Sequence, residues 1–244
     1  MHDRLLGRMP DVARPSTGVD VAIFTLRGDA LQVLLVQRPT QAGEPFPGRW
    51  ALPGGGVDVA RDRDLRACAR RHLRAQTGVA NPYLEQLGSW GSATRDPRGW
   101  SATHAHFALI PAREIAPAQG AHGADVGWFA VDDALAPRTR LAFDHGEILR
   151  AAVERLRSKV EYTSLPAFLL GEPFTLPQLQ RSYEAVLGRA VDKSGFRTRM
   201  LAAGFLAEAG VVDGDSKRPP MGYRLKDRVR AVVFPRTFSP RGGT

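Results

Sequence analysis

One cysteine, Cys68, is the whole thiol content of this 244-residue chain. An intramolecular disulfide framework is thereby excluded, and the composition fits a reducing, cytoplasmic compartment. Cys68 itself reads as a small apolar filler on a helix. No apolar run approaches the roughly 20 residues needed to cross a bilayer as a helix, so no membrane association is expected. Residues 1–18, punctuated by Asp3, Arg4, Arg8, Asp11 and Arg14, lack the apolar stretch of a secretory signal and are expected to form a flexible N-terminus. Internal repeats are missing, as are low-complexity tracts apart from a Pro/Gly-rich tail after Phe234, with 235–244 expected to be flexible. Between Leu65 and Leu84 there is no acidic side chain, so that stretch cannot offer carboxylates to a metal ion.

What is present is ordinary for folded domains: 43% hydrophobic and 24% charged residues, enough for a sizeable core. The charge balance is not ordinary. A net charge of +9 and a pI near 10.5 point to an anionic partner such as nucleic acid, a phosphate ligand or an acidic membrane surface. From Glu172 onward there are thirteen Lys and Arg against seven Asp and Glu, so the smaller C-terminal part holds most of the excess.

The pattern along the chain is α+β. Val21–Leu26 and Leu31–Val36 are strand-like runs around the turn Arg27-Gly28-Asp29, which predicts a hairpin. Leu65, Cys68, Ala69, Leu73 and Gln76 keep helical spacing over about 64–77, with Gly78 as the C-terminal cap. Further strands are expected at Tyr83–Trp90, Thr103–Ile110 and Val126–Val131. Asp144 is placed to cap a long amphipathic helix, His145–Val160, whose stripe is Ile148, Leu149, Ala152, Val153, Leu156 and Val160. Such a helix can link two domains or pair two subunits.

The run Leu52 to Val79, with its Gly54-Gly55-Gly56 loop, resembles the box of the Nudix family. Gly78-Val79 fall on the closing pair, Leu73 on the aliphatic position and Arg71 on the arginine. Arg95-Asp96-Pro97-Arg98-Gly99, Phe107–Pro111, Trp128-Phe129 and Leu141–His145 are similar to segments of Nudix domains of the ADP-ribose type. The resemblance implies an α/β/α sandwich over 19–160. In that family glutamates hold divalent cations against a pyrophosphate, hard oxygen ligands being suited to magnesium. The matching positions here are Arg63, His72, Ala75 and Gln76, with Asp58, Asp62 and Asp64 as partial replacements after a one-residue insertion. No catalytic residue, metal site or cofactor is therefore expected, and Arg66, Arg70, Arg71, His72 and Arg74 would repel a cation. A cavity that does not hydrolyse can still bind. Arg38, Arg49 and Arg71 suit phosphate oxygens, Trp50 or Phe107 could stack on an adenine, and Gly54 and Gly55 form the loop of this effector site.

The C-terminal part reads as a winged helix over 161–234. Thr175-Leu176-Pro177-Gln178 is a capping box, Leu176, Leu179, Tyr183 and Leu187 give a buried stripe, and Gly188 ends the helix. A second helix begins at Asp192-Lys193-Ser194-Gly195 with Phe196, Met200 and Ala203 inward; its Lys193, Ser194, Arg197, Thr198 and Arg199 would face DNA. Val211-Val212 and Tyr223–Leu225 flank a loop whose Lys217 and Arg218 form the basic tip of a wing. Tyr183–Arg189 and Phe196–Leu201 resemble the C-terminal domain of Nudix-related transcriptional regulators of NAD metabolism. The resemblance implies a homodimeric repressor of NAD synthesis and salvage genes that binds operator DNA and releases it on sensing ADP-ribose or a related nucleotide. The alternative is a Nudix pyrophosphatase acting on ADP-ribose with a basic accessory domain. A nucleotide-binding module whose winged helix makes only protein contacts is a third reading.

Overall fold

The computed structural model describes residues 14–115, 125–212, 219–235 and 237–238. Its first half is a mixed sheet with a helix against each face. Strands β1 (Ser16–Arg27) and β2 (Ala30–Gln37) form the expected hairpin, and Gly28 takes the left-handed φ of 60° that its tight turn requires. Two short strands follow, β3 (Trp50–Ala51) and β4 (Gly54–Gly56), then helix α1 (Leu65–Thr77). Strands β5 (Tyr83–Ser92), β6 (Ser101–Leu109) and β7 (Val126–Ala130) complete the sheet. The order is β3-β2-β1-β6-β5, with β4 paired to β1 and β7 to β2; β1 and β6 are parallel and the other pairs antiparallel. The sheet begins earlier than the sequence suggested, since Ser16 already pairs with Ser101.

Strand β1 is central and buried on both faces, which is why Val21-Ala22-Ile23-Phe24 is an unbroken apolar run. Side chains alternate across the pleat. Val19, Val21 and Ile23 pack with Cys68, Ala69 and Leu73 of α1, while Ala22 and Phe24 pack with Ile148, Leu149 and Ala152 on the opposite side. Asp64 caps α1 by accepting from the Ala67 N–H, and Gly78 closes it at φ 72°. Cys68 lies in the core as expected, where burial pushes its thiol up to about 11.

A one-turn helix α2 (Val131–Ala134) leads to α3 (His145–Val160), which buries the stripe Ile148, Leu149, Ala152, Val153, Leu156 and Val160 expected from its spacing. A short 3-10 segment, Leu165–Leu169, then joins the second domain. Strand β8 (Phe174–Thr175), helices α4 (Leu176–Leu187) and α5 (Lys193–Ala202), and strands β9 (Leu206–Val211) and β10 (Met221–Leu225) follow in winged-helix order, with the three strands arranged β8-β10-β9. Both bonds of the capping box at Thr175 and Gln178 are present. The two domains share one apolar core: the stripe of α3 continues through Leu165, Phe168 and Leu169 into Leu179, Tyr183 and Val186 of α4.

The C-terminal segment departs from expectation. Phe238, placed by sequence in a flexible tail, is 7% exposed and packs on Tyr183 and Phe196. Its apolar ring fills a gap between two helices, and no periodicity in so short a segment could reveal that.

Candidate effector pocket and nucleic-acid interface

The first half of β1 runs beside the glycine strand β4 in a tight antiparallel pair, with Gly18, Val19 and Asp20 opposite Gly56, Gly55 and Gly54. A Cβ at Gly54 would collide with the Asp20 carboxylate and the Val19 carbonyl, so only glycine lets the strands approach this closely. Beside this pair opens a cavity of about 980 Å3, walled by 14–20, the three glycines, the loop 95–100, the start of β6, Arg38, Phe143 and His145.

A buried ionic cluster shapes its floor. Asp20 faces His145 Nε2 at 3.3 Å and Arg95 at 3.7 Å. Burial works against the Asp20 charge, but His145 and Arg95 prevail and hold its carboxyl below the usual carboxylate range. The Leu52 N–H donates to His145 Nδ1 at 2.9 Å, so Nδ1 is the unprotonated nitrogen and the ring proton on Nε2 faces Asp20. Arg95 forms a bidentate pair with Asp144, at 2.8 Å and 2.7 Å. This corrects the role given to Asp144: it precedes α3 as expected, but its side chain makes no cap hydrogen bond and turns to Arg95.

Four arginines reach this cavity. Arg95 is committed to the floor, Arg98 to Asp96, and Arg38 to Glu44, whereas Arg14 makes no ion pair among the described residues. Phe143 adds an aromatic wall. Its backbone is left-handed at φ 52°, a strained conformation for a bulky residue, and it holds the ring beneath the guanidinium groups of Arg38 and Arg95, 5.3 Å and 6.0 Å away. Trp100, half exposed, stands on the opposite rim. An aromatic wall beside convergent guanidinium groups suits a purine next to phosphates.

Of the effector residues expected from sequence, Arg38, Gly54 and Gly55 line this cavity and four others do not. Phe107 is fully buried beneath the sheet, with its ring in the core against Tyr83. Trp50 packs edge-on against Phe129 at 4.8 Å, and Arg49 is exposed with its guanidinium over Phe46. Arg71 forks onto Asp62, at 2.8 Å and 2.6 Å, and donates to the Gly56 carbonyl at 3.2 Å, behind the glycine strand. Asp62 thus takes the place beside Arg71, one residue before the position in frame. Arg71 holds its carboxyl well below the usual range, and the Asp58 N–H takes another of its lone pairs. Arg95, Asp96, Phe143 and His145 fall within motifs noticed in the sequence, but nothing in that sequence brings segments 50 residues apart to one floor.

In the second domain α5 presents Lys193, Ser194, Arg197 and Thr198 to solvent, with Phe196 and Met200 beneath them. Lys193 and Arg197 make no ion pair among the described residues. Arg199 is different. It lies over the Phe238 ring at 4.1 Å and donates to the Thr237 carbonyl at 2.9 Å, so it is held against the protein rather than offered to a ligand. Lys217 and Arg218 lie outside the described residues; β9 and β10, which carry their loop, pair as the stem of a wing.

The sequence matches the model of the NUDIX domain over residues 16–152 and that of the NrtR DNA-binding winged helix domain over 166–225. It is 42% identical over 226 residues to the ADPR responsive transcriptional repressor NtrR of Acinetobacter baylyi, covering 93% of this chain and 88% of the relative. The chain belongs to the NrtR family. Shewanella oneidensis NrtR complexed with a 27mer DNA superposes with a TM-score of 0.82 at 39% identity, over 91% of this chain and 99% of the other. The NUDIX domain of the same NrtR complexed with ADP ribose matches at 38% identity and a TM-score of 0.53, over 62% of this chain and 94% of the other. The order of a Nudix domain and then a winged helix, expected from sequence, is that of the family. No helix among the described residues is long and apolar enough to cross a membrane.

Proposed function

We propose that this protein is a DNA-binding transcriptional repressor that senses ADP-ribose, or a closely related nucleotide, in the cavity beside Gly54–Gly56 and releases its operator in response. The observation that carries this is the pairing of two sites in one chain. An arginine-rich, aromatic-walled cavity suits a nucleotide diphosphate, and an exposed basic helix in a winged-helix frame suits the major groove. The relatives named above, a repressor responsive to ADPR and an NrtR bound to DNA, support the same reading. The regulated genes are those of NAD synthesis and salvage, and the protein acts in the cytoplasm.

The Nudix domain is a sensor and not a hydrolase. Arg63, His72, Ala75 and Gln76 stand where the box carries glutamates, and Asp62 is engaged by Arg71. Arg14, Arg38, Arg95 and Arg98 hold the phosphates, and Phe143 or Trp100 stacks on the base. Lys193, Ser194 and Arg197 read base edges, while Lys217 and Arg218 anchor the wing to the phosphate backbone.

The test is a selection of bound sequences from random duplex DNA, repeated with ADP-ribose present. A defined motif recovered without ADP-ribose and depleted with it is the expected result; no enriched motif would refute the reading. The selected motif is expected to have two half-sites, because a single recognition helix offers little contact area and a twofold dimer reads a pseudopalindrome. Light scattering should then give the mass of two chains of 26.6 kDa.

A further inference from the structure

The helix that starts at the effector cavity ends at a cluster that grips the recognition helix. At its start, Asp144 is held by Arg95, and His145 by Asp20 and the Leu52 N–H. Sixteen residues later, about 24 Å along a rigid rod, α3 ends at Glu161. There the Glu161 carbonyl accepts from the Phe238 N–H at 2.9 Å, and its carboxylate accepts twice from Arg189, at 2.8 Å and 3.0 Å. The same guanidinium donates to the Phe238 carbonyl at 2.9 Å. Phe238 is therefore tied by its own backbone to the end of α3.

Its ring is tied to the other side. It stacks on Phe196 at 6.0 Å and 21°, meets Tyr183 edge-on at 5.3 Å, and lies beneath Arg199 at 4.1 Å. Phe196 and Arg199 are three apart on α5 and so share one face of the recognition helix. Arg199 completes the grip by donating to the Thr237 carbonyl. The preceding segment runs back along the end of α3 as well: Phe234 N–H donates to the Tyr162 carbonyl at 2.7 Å, and the Ser164 N–H donates to the Val232 carbonyl at 3.0 Å.

We propose that Thr237-Phe238, with Glu161, Arg189 and Arg199, is a clasp through which the occupancy of the effector cavity sets the position of the recognition helix. This rests on the reading of the protein as a DNA-binding sensor of ADP-ribose. A ligand phosphate that competes for Arg95 loosens its pair with Asp144 and lets the start of α3 shift. Close packing keeps the helix from absorbing the shift within itself, so Glu161 moves. Phe238 follows through its N–H bond to the Glu161 carbonyl and through Arg189, which bridges the Glu161 carboxylate to the Phe238 carbonyl, and α5 follows Phe238 through ring contacts and Arg199. Arg199 is accordingly a positioning residue for α5 and reads no base.

The test measures the affinity of the full-length protein for its selected operator duplex by fluorescence anisotropy, with and without saturating ADP-ribose. In the unaltered protein ADP-ribose should weaken operator binding by a factor of about 5–150. In Phe238→Ala that factor should fall below about 2, while calorimetry gives unchanged ADP-ribose affinity; Phe238→Tyr, which keeps the ring, should respond as the unaltered protein does. Arg189→Gln cuts the ties to Glu161 and the Phe238 carbonyl from a partly exposed position without emptying the core. It should also lose the response, and it decides the matter if Phe238→Ala fails to fold. In repeated selection Arg199→Ala should recover the unaltered base preferences. A full response in Arg189→Gln or in folded Phe238→Ala would overturn the clasp while leaving the sensor reading intact. An unaltered protein that binds the operator equally with and without ADP-ribose would overturn both.

Discussion

Arg95 joins two acids from distant parts of the chain, Asp20 on β1 and Asp144 before α3, and its side chain is only 8% exposed. Replacing it with alanine should leave Asp144 without its cation and Asp20 with His145 alone, a loss of about 3 kcal/mol by the precedent of broken buried pairs. Urea unfolding of Arg95→Ala gives that figure, and calorimetry should show ADP-ribose binding weakened at least about tenfold, a change of about 1.4 kcal/mol. At Asp62 the effect is one of pH. The folded-state carboxyl lies well below its ordinary value because Arg71 holds it ionised. The stability it contributes is thus fully present above the unfolded carboxylate pKa of about 3.9 and is lost as pH falls toward the folded one. Asp62→Asn should therefore be less stable than the unaltered protein at neutral pH and converge on it in acid, as thermal melts between neutrality and low pH would show; parallel curves would contradict the assignment. The residue scale is also where sequence reading served least. Phe107 was a candidate for stacking because aromatics on strands look alike, but β6 is buried on both faces and only Ser101, Ala102 and Thr103 at its start reach the cavity. Phe143 carries no periodic signal at all, since its place depends on a left-handed backbone.

Elements were far more legible. The hairpin of β1 and β2, the glycine-capped α1, the stripe of α3 and the capping box of α4 are each written in local chemistry: alternation or helical spacing bounded by a residue that can end the element. Local chemistry also placed the basic face of α5, with one exception. Arg199 looked equivalent to Arg197, two residues away, and only the return of the C-terminal segment distinguishes them. The two arginines should differ in kind when replaced. Arg197→Ala should relax the operator preference at one position of each half-site and cost about 1–3 kcal/mol, because a lost base contact carries sequence information. Competition binding against single-position operator variants measures this, and an unchanged preference would remove Arg197 from the reading face.

At the scale of the whole molecule the sequence showed two domains in the right order but not how they are joined. It divided them after Val160, yet the apolar core passes without interruption from the sheet through α3 and Leu165–Leu169 into α4. A stripe on a helix says which face is buried, not what covers it, and here the cover comes from both domains. That shared core joins the Nudix domain to the frame on which the proposed clasp at Phe238 acts, so the two domains are treated as one thermodynamic system. Linkage then requires that operator DNA weaken ADP-ribose binding by the same factor by which ADP-ribose weakens operator binding. The direct measurement is calorimetric titration of ADP-ribose into the free protein and into its operator complex. Binding to the complex should be weaker by a factor of about 5–150, corresponding to about 1–3 kcal/mol of coupling; equal affinity in the two titrations would contradict a sensor that releases DNA on binding ADP-ribose.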